Sequence, residues 1–573
     1  MEVHGSNAVE VGFDDALVNL DFALEVVPGK PTVHQLAAKC TGSVRIVGHV
    51  QPMTPGGQGE FHVRVAGKTI WKRCFDRGDL IPHAFDIVTY DLTKSSSVEL
   101  VARTVQGSKR VRLVCRLQVV PEPFVSSWHA NLPTGYPPWK EDEKKEFRSR
   151  GQEILQGIRD ASRDKQKTLI IPPGDYLFHA RWSHASTLKN LAHLEIVAEG
   201  VTFWFEPPMV HALLFENCRD VTVRGLTIDF TIPCWFQAKV MEIDRKGKTI
   251  RATLMPDYPP RNANGEPETE GNRAFMFYDV RGRFINHRHT PTKWQLDADG
   301  RTLVCRPGRH GIPRALKTGD YAVGTIRTGA ALRSSKCTRM RFEDVNIWSS
   351  PGMAVYEGGG EGGHVYRCVR ATRRPRTNRL QAFGADIFHL AGTDKGPRLE
   401  RCELAYGADD NLNIHGSFGR VVKRAGDRRF YLEGAYKSGD TIEFREQKSI
   451  ELLGVAKVES VRATPDGPSR PINDTYKAKG EYLVELDKTL ELPPLAFVVL
   501  DGKRSADGFI VRDCWLHDNF QRTLINGAPN GLIENNTLQN LGMGICVQFE
   551  TWGPWMEGPF ARNLIVRNNR FID

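Results

Sequence analysis

The sequence predicts an all-β chain: a right-handed parallel β-helix with two inserted small antiparallel β-barrels and an N-terminal β-sandwich. Three observations point there. A hexad Φ-x-x-x-x-Φ, with a small or polar fourth place in five copies, recurs seven times, at Val223–Ile228, Phe342–Ile347, Val365–Arg370, Leu399–Leu404, Val511–Leu516, Ile533–Leu538 and Val566–Phe571. Its intervals are 119, 23, 34, 112, 22 and 33 residues, and the short ones match one coil adding a strand to each of three parallel sheets. The two long intervals exceed a coil by roughly 90 residues, too many for a bare loop, so each must hold something folded.

Residues 1–29 read as an N-terminal segment. Within 30–122, short alternating runs at Phe61–Val65, Phe85–Val88, Val98–Val101 and Val111–Val114, parted by turns such as Ala66-Gly67-Lys68, predict a sandwich, a generic carbohydrate-binding accessory domain. The Pro-rich stretch 123–140 predicts a linker. From Glu141 to Ala161, apolar residues at Phe147, Ile154, Leu155, Ile158 and Ala161 give one amphipathic helix. A buried strand, Thr168–Ile171, is expected next, ending at Pro172-Pro173-Gly174. The β-helix spans 141–573, interrupted by strand-rich insertions at 236–330 and 418–503, each read as a small barrel.

The fourth hexad place accounts for several of the 11 cysteines: Cys368, Cys402 and Cys514 share it with Asn536 and Asn569 and are expected to stack as one ladder inside the turn. No Cys-x-x-Cys pair occurs, which argues against zinc ribbons or thioredoxin chemistry. No metal and no cofactor is expected. The net charge of +10 comes from 78 Lys+Arg against 68 Asp+Glu spread along the chain, and no nucleic-acid module is recognisable, so no nucleic-acid partner is expected. There is no run of 18 apolar residues, hence no expected membrane span, and the start lacks a signal's basic and apolar regions. An extracytoplasmic location, with any signal outside this chain, and a monomer or homodimer are the expectations.

Aligning coils on the hexad stacks the strands that begin about ten residues later. These are Gly352–Glu357, Gly384–His389, Gly407–Gly416, Gln521–Asn526 and Gly544–Glu550. Asp386 and Asp409, 23 residues or one coil apart, should then be direct neighbours, with Asp410 on the other face unless the strand bulges. Three carboxylates so close raise at least one pKa, which keeps one protonated as an acid beside an ionised base. Glycoside hydrolysis needs that pairing. An Asp-Asp pair alone is far more often a turn or a calcium loop than a catalytic pair; Asp386 one coil earlier and His415 just after favour chemistry. Candidate sugar contacts are Glu357, His389, His415, Gln548, Glu550 and Glu557, with Trp552 and Trp555 offering flat apolar faces. Core packing is the plainer role for those rings. The run Arg370, Arg373, Arg374, Arg376, Arg379 is a solvated face or a clamp for an acidic glycan.

The hexads, the Gly-Ala-Asp386 strand, the Gly-Ala-Asp409-Asp410-Asn-Leu-Asn-Ile-His415-Gly416 strand and the Trp555-Met-Glu557-Gly-Pro-Phe560 tail resemble glycoside hydrolase family 110 over about residues 140–573. The resemblance implies exo-acting, inverting hydrolysis of terminal α-1,3-linked galactose on an oligo- or polysaccharide, with Asp386, Asp409 and Asp410 as the catalytic carboxylates. Similar trios in the polygalacturonase family imply Asp410 as acid and Asp386 with Asp409 as base. Two rival readings stand beside it: a hydrolase or lyase of an acidic polysaccharide, and a non-catalytic glycan-binding β-helix.

Overall fold

The computed structural model describes residues 9–11, 18–26, 32–38, 42–52, 58–65, 68–75, 83–92, 97–104, 111–121, 130–179, 186–207, 210–285, 290–308, 310–500, 503–551, 553–558 and 561–572. Two units divide the chain, Met1–Ala130 and Asn131–Asp573. In the first, one sheet runs Val9–Val11, Thr32–Ala38, Ser97–Thr104, Gly59–Val65, Lys68–Phe75. The other runs Val18–Val26, Val111–Pro121, Gly42–Pro52, His83–Leu92. Strand pairing begins before residue 30, because Val18, Leu20, Phe22, Leu24 and Val26 alternate with other residues and the segment pairs with Val111–Val119 throughout.

The second unit opens on the helix Glu141–Arg163. Three acids in its first turn suit the positive end of the helix dipole, and the Lys140 backbone N–H donates to Glu143 Oε2 at 2.8 Å. Gly151, Leu155, Ile158 and Ala161 form its buried stripe. A Cβ at Gly151 would lie 2.5 Å from the Leu177 carbonyl, so the helix can approach the strand Gly174–His179 only with glycine there. The strand before it is shorter than expected, Thr168–Ile170, and Ile170 is 71% exposed. It is the end strand of its sheet and, among the described residues, pairs only with Glu195–Val197.

Beyond the helix the chain winds into parallel sheets. A nine-stranded sheet takes one strand per coil: Thr168–Ile170, Glu195–Val197, Thr222–Arg224, Arg341–Glu343, Val365–Arg367, Arg398–Glu400, Ile510–Arg512, Leu532–Glu534 and Ile565–Arg567. A 16-stranded sheet takes up the segments after the turn, and its run Ala330–Ser335, Met353–Gly358, Phe388–Ala391, Leu412–Ser417 ends on the long strand Trp515–Gly527. The pairing Phe342, Tyr366, Leu399, Val511, Ile533, Val566 sets the phase. One hexad therefore shifts by a residue, to begin at Tyr366. Cys368 leaves the ladder and Val369 enters it.

The third hexad place explains the turn. Gly225, Asp344, Cys368, Arg401, Asp513, Asn535 and Asn568 all hold positive φ, between 54° and 77°. The next residue then points inward. The Cys402 N–H donates to Cys514 Sγ at 3.4 Å, Cys514 N–H to Asn536 Oδ1 at 3.0 Å, and Asn536 N–H to Asn569 Oδ1 at 3.0 Å. These side chains satisfy backbone donors that the bend strips of strand partners.

Both long intervals hold closed six-stranded antiparallel barrels. The first barrel consists of Trp235–Asp244, Thr249–Leu254, Thr302–Pro307, Thr290–Leu296, Glu270–Tyr278 and Tyr321–Thr325 around Phe236, Phe275, Phe277 and Trp294. The second consists of Gly419–Arg424, Arg429–Leu432, Tyr482–Leu486, Leu452–Ala463, Thr441–Arg445 and Phe497–Leu500 around Phe430, Ile442, Phe444 and Val484. No helix among the described residues is long and apolar enough to cross a membrane.

Candidate active site

Asp386, Asp409 and Asp410 each offer an oxygen, and the three lie within 4.8 Å of one another. Asp386 precedes the strand Phe388–Ala391, where the backbone is crowded: a Cβ at Gly384 would lie 1.9 Å from the Ile326 carbonyl and 2.1 Å from that of Pro351. Phe388 pairs with Leu412, so the coil is 24 residues here and the register neighbour of Asp386 is Asp410, not Asp409. Ile387 N–H accordingly donates to the Asp410 carbonyl at 2.8 Å. Asp409 joins them because residues 408 and 409 form a bend ahead of the strand Leu412–Ser417, where strict alternation of faces does not apply. Asn519 braces the bend. Its Oδ1 accepts from Gly407 N–H at 3.0 Å and its Nδ2 donates to the Asp409 carbonyl at 2.6 Å.

Two arginines divide the acids. Arg522, one coil beyond Asp410, grips it bidentately, Nε to Oδ1 at 2.7 Å and Nη2 to Oδ2 at 2.8 Å, and its third donor group bonds Glu550 Oε1. Arg327, on the segment leaving the first barrel, bonds Asp409 Oδ2. Asp410 is 2% exposed. Burial first, and then the charges of Asp386 and Asp409, push its pKa well above the ordinary carboxylate value against the pull of Arg522. Asp386 is raised for the same first reason, against the pull of its hydrogen bond to His389.

The histidines form a chain. His415 Nδ1 lies 2.6 Å from the Gly416 carbonyl, an acceptor only, so that nitrogen carries the proton and Nε2 is left with a lone pair. His389 Nε2, 3.1 Å away, must then be the donor. The remaining contact, His389 Nδ1 to Asp386 Oδ2 at 2.7 Å, holds one shared proton. Burial lowers the His415 pKa to about 4, while Asp386 raises that of His389 despite burial. Glu557 Oε1 lies 3.9 Å from His415 Nε2, and Glu557 Oε2 accepts from Asn413 Nδ2 at 3.2 Å. Tyr356 stacks on the His389 ring at 5.6 Å and 13°. The donor atoms of His389, His415 and Glu557 fall within 4.8 Å of one another, as the trio's do. The two imidazoles of that group, like the trio's Asp409 and Asp410, already have protein partners.

Of the expected sugar contacts, His389, His415 and Glu557 gather beside the acids, and Glu550 reaches them through Arg522. Gln548 donates to Glu550 at 2.9 Å. Trp555 is 46% exposed, on the hairpin between Glu550 and Glu557, and Trp552 lies outside the described residues. Glu357 is a correction. It faces inward, fully buried, accepting from Tyr366 Oη at 3.2 Å, because His389 pairs with Tyr356 and a one-residue slip changes faces. Its pKa is raised to about 8 by burial. The folded protein therefore keeps a proton that the unfolded chain releases above its usual value near 4.5, and stability should fall as pH rises from there to about 8. Glu357→Gln is expected to flatten that decline and raise the melting temperature at pH 8; an unchanged slope of melting temperature against pH would count against it.

Four of the loop's five arginines are taken up by the protein itself, and Arg376 is exposed. Arg370 bonds Glu403 at 2.8 Å, Arg373 donates to the Gly282 carbonyl at 3.0 Å and covers the Tyr406 ring, and Arg374 bonds Asp229 at 3.1 Å. Arg379 is fully buried, bonded to Asp229 at 2.8 and 3.0 Å. Sequence reasoning missed Arg522, Arg327, Asn519, Asn413 and Tyr356. The coil alignment contained the signal for Arg522, which occupies the Asp410 place one coil on; Arg327 lies 82 residues before Asp409 and carries no such mark.

No family model matches the chain. Its similarity is to a class of glycosidases, curated alpha-1,3-galactosidases, as the acid trio led us to expect. Alpha-1,3-galactosidase A of Bacteroides fragilis is 23% identical over 412 residues, 67% of this chain and 64% of that one. Alpha-1,3-galactosidase B of Bacteroides thetaiotaomicron is 22% identical over 454 residues, 70% of each chain. The alpha-1,3-galactosidase B of Phocaeicola vulgatus is 22% identical over 470 residues, 74% of this chain and 77% of that one. The chain thus spans just under two thirds of the length of the first of these relatives. Among solved structures, the catalytic unit of a thermostable alpha-1,3-glucanase from Streptomyces thermodiastaticus aligns over 96% of this chain and 68% of that one at 10% identity, with a TM-score of 0.32, too loose a likeness to carry an argument.

Proposed function

We propose that the protein is a glycoside hydrolase that removes terminal α-linked galactose with inversion, at the site of Asp386, Asp409 and Asp410. The observation that supports this most is the acid trio, with Asp386 and Asp410 buried, held by two arginines. Asp410, shielded and flanked by like charges, is the proton donor to the glycosidic oxygen. Asp386 and Asp409 draw a proton from the water that attacks the anomeric carbon. Asp386 keeps the proton it takes, because His389 Nδ1, 2.7 Å away, already carries the proton of their contact whenever Asp386 is ionised. His389, His415 and Glu557 hold the sugar hydroxyls. The names of the relatives favour an α-1,3 linkage. The scaffold is, in this reading, a right-handed parallel β-helix: each coil adds a strand to each parallel sheet, and crossovers between parallel strands are right-handed in about 98% of cases.

One observation favours a second reading. The nearest oxygens of the trio lie within 4.8 Å, closer than the ~6.5–9.5 Å between carboxyl groups of most inverting enzymes and nearer the ~5–5.5 Å of retaining ones. Four of the five loop arginines are engaged within the protein, which weighs against a clamp for an acidic glycan. Proton NMR during hydrolysis of a nitrophenyl α-galactoside separates the outcomes. β-Galactose appearing first supports inversion, α-galactose first supports a covalent intermediate, and no hydrolysis of any α-galactoside removes the reading.

A further inference from the structure

We propose that the second inserted barrel sets the geometry of the active site, with Arg420 as its positioning residue. The proposal rests on the functional reading above for its activity arm alone. Glu550 and Glu557 are joined as a hairpin, each donating its N–H to the other's carbonyl at 2.9 Å. One stem carries Glu550 to Arg522, and the other carries Glu557 to His415 and Asn413. The hairpin's own hold on the sheet is slight. Among the described residues of the hairpin, only Glu557–Gly558 pairs with the strand Leu412–Ser417, too short a ladder to fix a loop in water.

Arg420 supplies the rest. It lies three residues past the end of that site strand, on the first strand of the barrel, and is fully buried. Its Nη2 donates to the Thr551 carbonyl at 2.9 Å and to the Gly553 carbonyl at 3.1 Å, both at the hairpin tip. Its Nη1 donates to Glu433 Oε2 at 2.8 Å, and Tyr476 Oη donates to Glu433 Oε1 at 2.5 Å. A buried guanidinium is costly unless its donors are used. A barrel that merely had to close would be served by an apolar residue. Below the tip, Met556 packs against the small cluster of Phe418, Phe497 and Val499, two of them from the barrel's last strand. Barrel, hairpin and acids thus form one mechanical chain: Glu433 orients Arg420, Arg420 holds the Thr551 and Gly553 carbonyls, and the hairpin stems hold Glu557 and Glu550.

The test compares Arg420→Met, Arg420→Lys and Tyr476→Phe with the wild type, by amide hydrogen exchange over 550–558 and by kcat and KM on a nitrophenyl α-galactoside. Arg420→Met should speed exchange at Glu550 and Glu557 by about tenfold or more and lower kcat/KM by about 10²-fold, as a misplacement near 1 Å does. A rise in KM is expected within that loss, which fewer folded molecules would not produce. Arg420→Lys should recover part of both, and Tyr476→Phe should fall between. Exchange and kcat/KM within twofold of wild type in Arg420→Met overturn the proposal. If that variant does not fold, unchanged exchange and KM in both Arg420→Lys and Tyr476→Phe overturn it. A wild type inactive on every α-galactoside defeats the functional reading, and the exchange arm then decides the clamp by itself.

Discussion

Asp410→Asn should lower kcat on an unactivated α-galactoside by about three orders of magnitude or more, with the fold intact. A positioned general acid contributes typically ~10²–10⁴-fold. Asp410 is the member of the trio best placed for that role: 2% exposed, raised by burial and by two neighbouring carboxylates, and on the site strand's approach. The amide keeps the size and one acceptor for Arg522, which retains Glu550 as its partner, so little stability should be lost. A leaving group that needs no proton separates acid from base. On a dinitrophenyl α-galactoside the defect should shrink to roughly tenfold, because the phenolate departs unaided. Equal losses on both substrates would transfer Asp410 to the base side and make Asp386 or Asp409 the donor.

The largest expected effect on stability lies away from the acids. Arg379→Leu should cost about 3–5 kcal/mol, since it leaves the Asp229 carboxylate buried without the Nη1 group that donates to both its oxygens. Arg379 also donates to the Thr134 carbonyl at 2.8 Å, and its guanidinium lies 4.0 Å over the Tyr136 ring, so one side chain fastens the entry segment to the coil stack. Urea unfolding followed by tryptophan fluorescence checks this. The pair Arg379→Leu with Asp229→Asn should regain part of the loss by removing the orphaned charge. A single variant within about 1 kcal/mol of wild type would show that Arg374, which also bonds Asp229, suffices as its counter-ion.

The parallel stacking and both barrels were legible because they rest on spacing, and spacing survives any ambiguity in single residues. Phase was harder. Val365 and Tyr366 are both apolar, so the hexad fits either start, and only pairing with Phe342 and Leu399 selects Tyr366. The same one-residue ambiguity set Asp386 against Asp409 in place of Asp410, and turned Glu357 outward in place of Tyr356. Coils of 22, 24 and 33 residues shift the count without a turn residue to mark where. The acids themselves were readable, since they recur one coil apart. The arginines that divide them were not. Arg327 leaves a barrel, and the tight packing at Gly384 that aims Asp386 depends on carbonyls from two distant segments. The arginine-rich loop was half legible for a related reason: Arg376 is exposed, while the partners of Arg370, Arg373, Arg374 and Arg379 come from distant segments.

Asp410 and Arg522 touch, yet 112 residues of chain separate them, most of them in the second barrel. During synthesis, at about 5–20 residues per second, the acids would leave the ribosome roughly ten seconds before their counter-ion. For that interval the strand Leu412–Ser417 has an open edge, and three carboxylates are crowded with no Arg522 beside them. A barrel whose strands all pair within 419–500 can close in the meantime, and its exit then brings the next coil to the waiting edge. The order of emergence thus makes the barrel a timer, since the charge-balanced site can form only after the inserted segment has been made.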